Sequence, residues 1–362
     1  MKTELKNICC LVKDKISVSE ITPDNYISTE NMLPNKCGIT APSSFPAGVK
    51  CTAYQKDDVL VSNIRPYFRK IWFSGNSGGC SNDVLVFRAK SGISPEFLYY
   101  TLADDRFFDY AMKTSKGTKM PRGDKKAIME YIVNVLDYET QKKTGYLLRL
   151  LDMKIELNNR INKNLEEQAQ TIFKSWFVNF EPFGGVMPDN WQKTTLGTIT
   201  NIYSGKRPKK KLSETTSEFC FPLVGATSVM GYTNEYNHNN KILVIGRVGT
   251  HGVVQRFNCP CWTSDNTLVI ESKYYEFVYQ ILQLIDYKNM NCGSTQPLIT
   301  QSDLKKVSII LPTENYLAKF EKISNNLMCK FDYNKKENQR LSALRDILIP
   351  KLINGETDIF KI

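Results

Sequence analysis

Residues 151–176 read LDMKIELNNRINKNLEEQAQTIFKSW, and residues 327–352 read LMCKFDYNKKENQRLSALRDILIPKL. In the first stretch Leu151, Asn158, Leu165 and Ile172 recur every seven residues, with Ile155, Asn162, Ala169 and Trp176 four further along each time. A seven-residue repeat in a segment almost free of glycine and proline predicts a long helix with a coiled-coil seam. The second stretch repeats the seam as Leu327, Asn334, Leu341 and Leu348, interleaved with Phe331, Asn338, Arg345 and Leu352. Even the asparagines match, at one offset (334 − 158 = 176; 338 − 162 = 176). An amide in an apolar seam costs stability and commonly fixes register, because other alignments leave it without a partner. The alternative is a solvated asparagine on a merely local seam.

Working outward, the repeat extends over the chain. DDVLVSNIRPYFRKIWF leads into SNDVLVFRAK in the first half, and NNKILVIGRVGTHGVVQRF leads into SDNTLVIESK in the second. Leu60 aligns with Leu243 and Asp83 with Asn266, both at 183, and Arg65 falls beside Arg247 at 182. From Gly117/Gly293 and Pro121/Pro297 onward the offset is 176, which places a length difference in a surface loop between Asp83 and Gly117. Upstream, Tyr26–Met32 resembles Phe221–Val229 more loosely. Short apolar runs at Asp58–Ile64, Asp83–Phe87, Lys241–Ile245 and Thr267–Ile270 predict strands. Helices are expected over Gln141–Phe177 and Tyr316–Ile353, with Pro350 giving a kink or a short separate end segment.

The fold expected is therefore α+β: two tandem domains of mixed sheet with helices, separated by two long antiparallel coiled-coil helices in a pseudo-two-fold internal repeat. The expected boundaries are 1–140, a helix over 141–181, the linker 182–190 (within EPFGGVMPDNW), a second domain over 191–315 and a closing helix over 316–362. From Leu147 to Trp176 such a helix measures about 45 Å at 1.5 Å per residue, against about 34 Å for one turn of B-DNA.

A length of 362 residues suits two domains. The net charge of +11 favours a polyanionic partner without proving one. Ten scattered cysteines without a CxxC pair suggest reduced thiols in a cytoplasm. Cys259 and Cys261 with His238 could be imagined around zinc, but the paired spacings of zinc sites are absent. No apolar run is long enough for a membrane span.

With these pieces in place the chain resembles the specificity subunits of Type I restriction-modification systems. Two phrases, NLEEQAQTIFKSWFVNFEPF (164–183) and LRDILIPKLINGE (344–356), look like that family's conserved regions, and VMPDNWQKTTLGTI (186–199) looks like the start of a target-recognition domain. The first domain departs from this, beginning almost at Leu5, the equivalent of Leu196, without a PDNW-like leader. The resemblance implies that each domain reads a short half-site in double-stranded DNA and that the helices set the gap between half-sites. It also implies docking of two methyltransferase subunits, joined by translocating restriction subunits, with no cofactor and no membrane.

The densest basic run is Gly205–Lys211, whose Lys206, Arg207, Lys209, Lys210 and Lys211 could hold phosphates or form a solvated loop. Lys13 and Lys15 are a weaker counterpart. Arg65, Arg69 and Lys70, with Tyr67, Phe68 and Trp72 interleaved, and Arg247, His251 and Arg256 are the base-reading candidates, since arginine can bond guanine O6 and N7 together. An arginine shared by both halves could equally touch backbone. The loops Ser115–Lys126 and Asn291–Asp303 offer Lys116, Lys119, Arg122, Thr295 and Gln296, or are plain turns.

Catalytic patterns are missing. There is no Pro-Pro pair, no GxxxxGK[ST] and no HExxH, and histidine occurs only at His238 and His251. Asp265 with Glu271-Ser272-Lys273 suggests a nuclease metal site, but the first half has Arg88-Ala89-Lys90 there and loses the glutamate. A non-catalytic subunit is expected; an assembly scaffold without sequence preference, or a self-contained methyltransferase or nuclease, are the competing readings.

Overall fold

A computed structural model of the chain describes residues 1–247, 252–287 and 298–357. It divides into two units, Met1–Asn159 with Lys335–Ile362, and Arg160–Asn334. Each unit thus takes one globular domain and part of both long helices.

In the first unit the valine- and leucine-rich runs form an antiparallel sheet in the order Cys9–Leu11, Val84–Ala89, Val59–Ser62, Ile71–Phe73. Side chains alternate across it. Val59, Val61, Leu85 and Phe87 join a core built with the helices Pro95–Ala103 and Asp105–Lys113, whereas Leu60, Val84 and Val86 face Tyr54 and Cys80. A second sheet pairs Tyr26–Ile27 in parallel with Gly78–Cys80, and Lys2–Glu4 pairs with Ile132–Asn134.

The second unit repeats this plan. Its sheet runs Asn201–Ser204, Thr267–Glu271, Ile242–Gly246, Val254–Phe257, and Phe221–Val224 lies parallel to Trp262–Thr263. Leu5 N–H donates to Tyr131 O at 2.8 Å in the first unit and Leu196 N–H to Val307 O at 2.8 Å in the second, which makes Leu5 and Leu196 equivalent. The helix caps Asp124 and Thr300 also correspond (300 − 124 = 176).

The structure corrects the alignment of the hairpins by one residue. Ser62 pairs with Val84 and Gly246 with Thr267, so at the 183 offset of Val84 and Thr267 the strands themselves align at 184 (246 − 62). Leu60 is therefore the equivalent of Val244, both turned away from the helices, and Leu243 is the equivalent of Val59, both turned toward them. Matching Leu60 to Leu243 put the same letter on opposite faces, because a one-residue slip in a strand exchanges its sides. Arg247 consequently corresponds to Asn63: Asn63 N–H donates to Asp83 O at 2.8 Å and Arg247 N–H to Asn266 O at 2.9 Å. Arg65 and Arg247 are not counterparts.

The two long helices are Tyr138–Phe177 and Glu314–Ile353, and their starts and ends share one offset (314 − 138 = 353 − 177 = 176). Within each unit their segments run antiparallel. In the first, Asn158 Nδ2 donates to Asn338 Oδ1 at 2.8 Å and to Glu337 Oε2 at 2.6 Å. In the second, Asn334 Nδ2 donates to Asn162 Oδ1 at 2.9 Å. The repeat maps one bond onto the other, donor to donor. Asn158 and Asn334 are almost fully buried, so these amides are not solvated.

Elsewhere the seams differ. Arg345 donates to Asp152 at 2.7 Å, and both are buried. Their counterparts in the second unit (345 − 176; 152 + 176) are Ala169 and Met328, both in its apolar core. The closing helix continues through Pro350 to Ile353. Pro350 lies in the last turn, where it removes the N–H that would reach the Asp346 carbonyl, while its own carbonyl accepts from Asn354 Nδ2 at 2.7 Å. Among the described residues no helix is long and apolar enough to cross a membrane.

Candidate nucleic-acid interface

In the first unit the Val59–Ser62/Ile71–Phe73 hairpin ends in the turn Arg65–Arg69. Pro66 fixes one backbone angle and is buried, and Arg65 and Arg69 both take left-handed conformations, with φ of 49° and 51°. Arg65 N–H donates to Pro121 O at 2.8 Å and Gly123 N–H to Asn63 O at 3.1 Å, which lays the Ser115–Lys126 loop against this turn. Two segments singled out from the sequence are thus adjacent.

The cations on this edge are not equivalent. Arg69 pairs with Asp105 at 2.9 Å, Arg122 with Asp83 at 3.2 Å and Lys116 with Asp124 at 2.6 Å, the last bond raising the Lys116 pKa. Lys119 is exposed. Lys70 turns inward, donating to Thr29 O at 2.6 Å, and burial lowers its pKa. Arg65 has a buried Nε without a hydrogen-bond partner, and among the described residues no carboxylate pairs with it. An orphaned buried donor costs about 1–3 kcal/mol.

Lys36 went unnoticed in the sequence because a lone lysine in a loop carries no signal. Its ammonium is buried, bonding Asp105 at 2.9 Å and Asp346 at 3.2 Å, while its backbone N–H donates to Arg69 O at 3.0 Å. The Arg65–Arg69 turn is thereby tied to the closing helix of its own unit.

In the second unit the basic run leaves the strand Asn201–Ser204. Gly205 permits a close approach: a Cβ there would lie 2.2 Å from Ser264 O. Lys206 N–H donates to Thr263 O at 2.9 Å and its carbonyl accepts from Trp262 Nε1 at 2.7 Å, so the base of the loop is anchored. Lys206, Arg207, Lys209, Lys210 and Lys211 are exposed beyond it, with Arg207 3.5 Å from Asp265. Gln301 Nε2 donates to Ser204 Oγ at 3.0 Å and Ile299 N–H to Arg247 O at 3.1 Å, bringing these elements to one edge. His251, Thr295 and Gln296 lie outside the described residues.

Arg256 is placed differently from its expected base-reading role. It is an interior residue, bonded to Glu276 at 2.6 and 2.8 Å and held between the rings of Tyr275 and Tyr279. Burial opposes its charge, but Glu276 outweighs this and the pKa is raised. Its structural counterpart (256 − 183) is Phe73, so an ion pair here replaces an aromatic packing residue.

The imagined metal groups come apart. Asp265 faces Arg207, Glu271 accepts from Tyr203 at 2.9 Å and Asn240 at 3.0 Å, and Lys273 pairs with Glu314 at 3.4 Å. His238 bonds Thr263 Oγ1 at 2.9 Å, with burial lowering its pKa. Among the described residues no cluster of three or more histidine, cysteine or carboxylate side chains could hold a metal ion.

Comparison with known proteins matches residues 4–167 and 188–343 to the Type I restriction modification DNA specificity domain. The HindI specificity subunit of Haemophilus influenzae is 26% identical, the match covering 91% of this chain and 94% of that one. The MjaIX specificity subunit of Methanocaldococcus jannaschii is 27% identical over 74% of this chain and 70% of its own. A crystal structure of the S subunit of a Type I system from M. genitalium superposes with a TM-score of 0.61 at 18% identity, covering 98% of this chain and 96% of that one. That likeness is one of fold.

Proposed function

Because the chain belongs to the Type I restriction-modification specificity family, as a specificity subunit with two target-recognition domains, we propose that it reads a bipartite site in double-stranded DNA. The first domain takes one half-site at the Arg65–Arg69 turn and the Lys116–Arg122 loop. The second takes the other along Lys206–Lys211 and Arg247, with His251, Thr295 and Gln296 belonging to the same role. The paired long helices set the gap, and they carry two methyltransferase subunits to which restriction subunits add, in the cytoplasm. The chain itself supplies no catalytic group.

The observation that carries this reading is that each unit gathers cations: the Arg65–Arg69 turn and the Ser115–Lys126 loop lie together in the first, and Arg247 and the Lys206–Lys211 run are joined through Ile299 and Gln301 in the second. Unequal cations on equal scaffolds suit two different half-sites. Lysines there position the duplex by phosphate contact, while an arginine with free donors can read guanine.

The test is binding by the assembled complex to duplexes that carry both half-sites. Affinity should fall steeply with salt, and lengthening the gap by two base pairs should abolish specific binding and methylation. Unchanged modification after that insertion refutes the spacer role, and equal affinity for random and specific duplexes refutes sequence reading.

A further inference from the structure

At the tip of the first unit's hairpin, Tyr67 and Phe68 are 49% and 37% exposed, with ring centroids 4.6 Å apart. Large rings left in water forgo the gain of burial, and a freely moving turn would fold them back. This turn is not free. Phe68 O accepts from Asn35 N–H at 2.8 Å, Arg69 O accepts from Lys36 N–H at 3.0 Å, and Arg65 is held to Pro121. Lys36 and Arg69 share Asp105, which locks the far side. The rings are therefore presented by a constrained backbone.

The surroundings state what kind of surface they meet. Arg65 beside them has its unpaired Nε, and Lys116, Lys119 and Arg122 lie on the adjoining loop. An apolar pair on a turn that a cation-bearing loop lies against fits a polyanion that also offers an apolar feature. In duplex DNA that feature is either the base stack or the thymine C5-methyl, which projects into the major groove. The rings are inclined by 52°, so they form a broad surface and cannot enter one base step as a single flat wedge. Insertion would also strip water from the Tyr67 hydroxyl. A two-stranded hairpin, by contrast, fits the major groove.

We propose that Tyr67 and Phe68 cover the C5-methyl of a thymine in the half-site read by the first domain. This rests on the reading that this edge faces DNA. In the second domain the corresponding segment 247–253 reads RVGTHGV, without a phenylalanine, tyrosine or tryptophan, so the contact belongs to one half-site only.

The test uses the assembled complex and its mapped recognition sequence. Replacing each thymine in turn by deoxyuridine removes one methyl group. At one position in one half-site the wild-type complex should bind about fourfold more weakly, the equivalent of one buried methyl group. The complex carrying Tyr67→Ser and Phe68→Ser should bind thymine and deoxyuridine duplexes equally there, while Phe68→Leu keeps part of the difference. With 5-iododeoxyuridine at that position, irradiation should cross-link DNA to the peptide containing Tyr67 and Phe68. A penalty that persists in the double variant, no sensitive position in the wild type, or a first half-site without an A·T pair overturns the proposal. Loss of all preference for the specific duplex in the wild type would instead overturn the reading of the whole edge.

Discussion

The buried ion pair Asp152–Arg345 allows a perturbation for which the chain supplies its own control. The side chains are 9% and 6% exposed, and Tyr100 hydroxyl also donates to Asp152 at 2.7 Å. Removing one partner of a buried pair costs about 3–5 kcal/mol, because the other charge stays buried. Arg345→Ala leaves Asp152 with only a neutral hydroxyl donor and should fall in that range. Asp152→Met should cost less, roughly 2–4 kcal/mol, since Arg345 retains Asp346 at 3.0 Å. The double variant places in the first unit the methionine and alanine that the second already uses at Met328 and Ala169. Replacing a buried pair by packed apolar residues is often neutral, so the double variant should return to within about 2 kcal/mol of wild type. Urea unfolding followed by far-ultraviolet circular dichroism, with all four proteins compared in a cycle, measures the coupling. Additive losses in the double variant would show that the pair does not interact as described and that the two seams are not interchangeable.

Further outcomes follow from the same structure. Gly205→Ala pushes a methyl group against the Ser264 carbonyl, so it should cost about 1–3 kcal/mol and weaken DNA binding by displacing Lys206–Lys211; unchanged affinity and stability would refute that anchoring. Glu321, whose pKa burial raises to about 7, accepts from Phe277 N–H at 2.8 Å at a helix start. The folded state therefore holds its proton longer than the unfolded chain, and stability should fall as pH rises from about 4.5 to about 7, by up to roughly 3 kcal/mol. Glu321→Gln should remove that slope, and a slope identical to wild type in denaturant titrations would count against it. Arg65→Ala should weaken specific binding by about 1–3 kcal/mol while leaving random-duplex binding unchanged if it reads guanine; equal loss on both would make it a phosphate contact.

The helices were legible because a seven-residue period and two asparagine pairs survive in both copies, and the structure closes those amides on one another. The strands were legible as apolar runs, yet their alignment slipped by one because leucine and valine alternate with no letter that marks the side. Only paired backbone bonds distinguish Asn63 from Arg65 as the counterpart of Arg247. At the candidate interface the sequence could nominate cations but not sort them. Arg256 and Arg65 are each arginines near a hairpin, and what separates them is Glu276, twenty residues from Arg256 in the sequence but bonded to it at 2.6 Å. Lys36 acts through Asp105 and Asp346, one of which lies on the closing helix, so no local pattern could announce it.

The most direct measurement of the central claim is methylation mapping of a complex in which residues 1–140 are exchanged for the matching domain of a relative. Two independent reading domains on a fixed spacer predict that one half-site changes while the other half-site and the gap are kept. A change in both half-sites, or in the gap, would contradict the account.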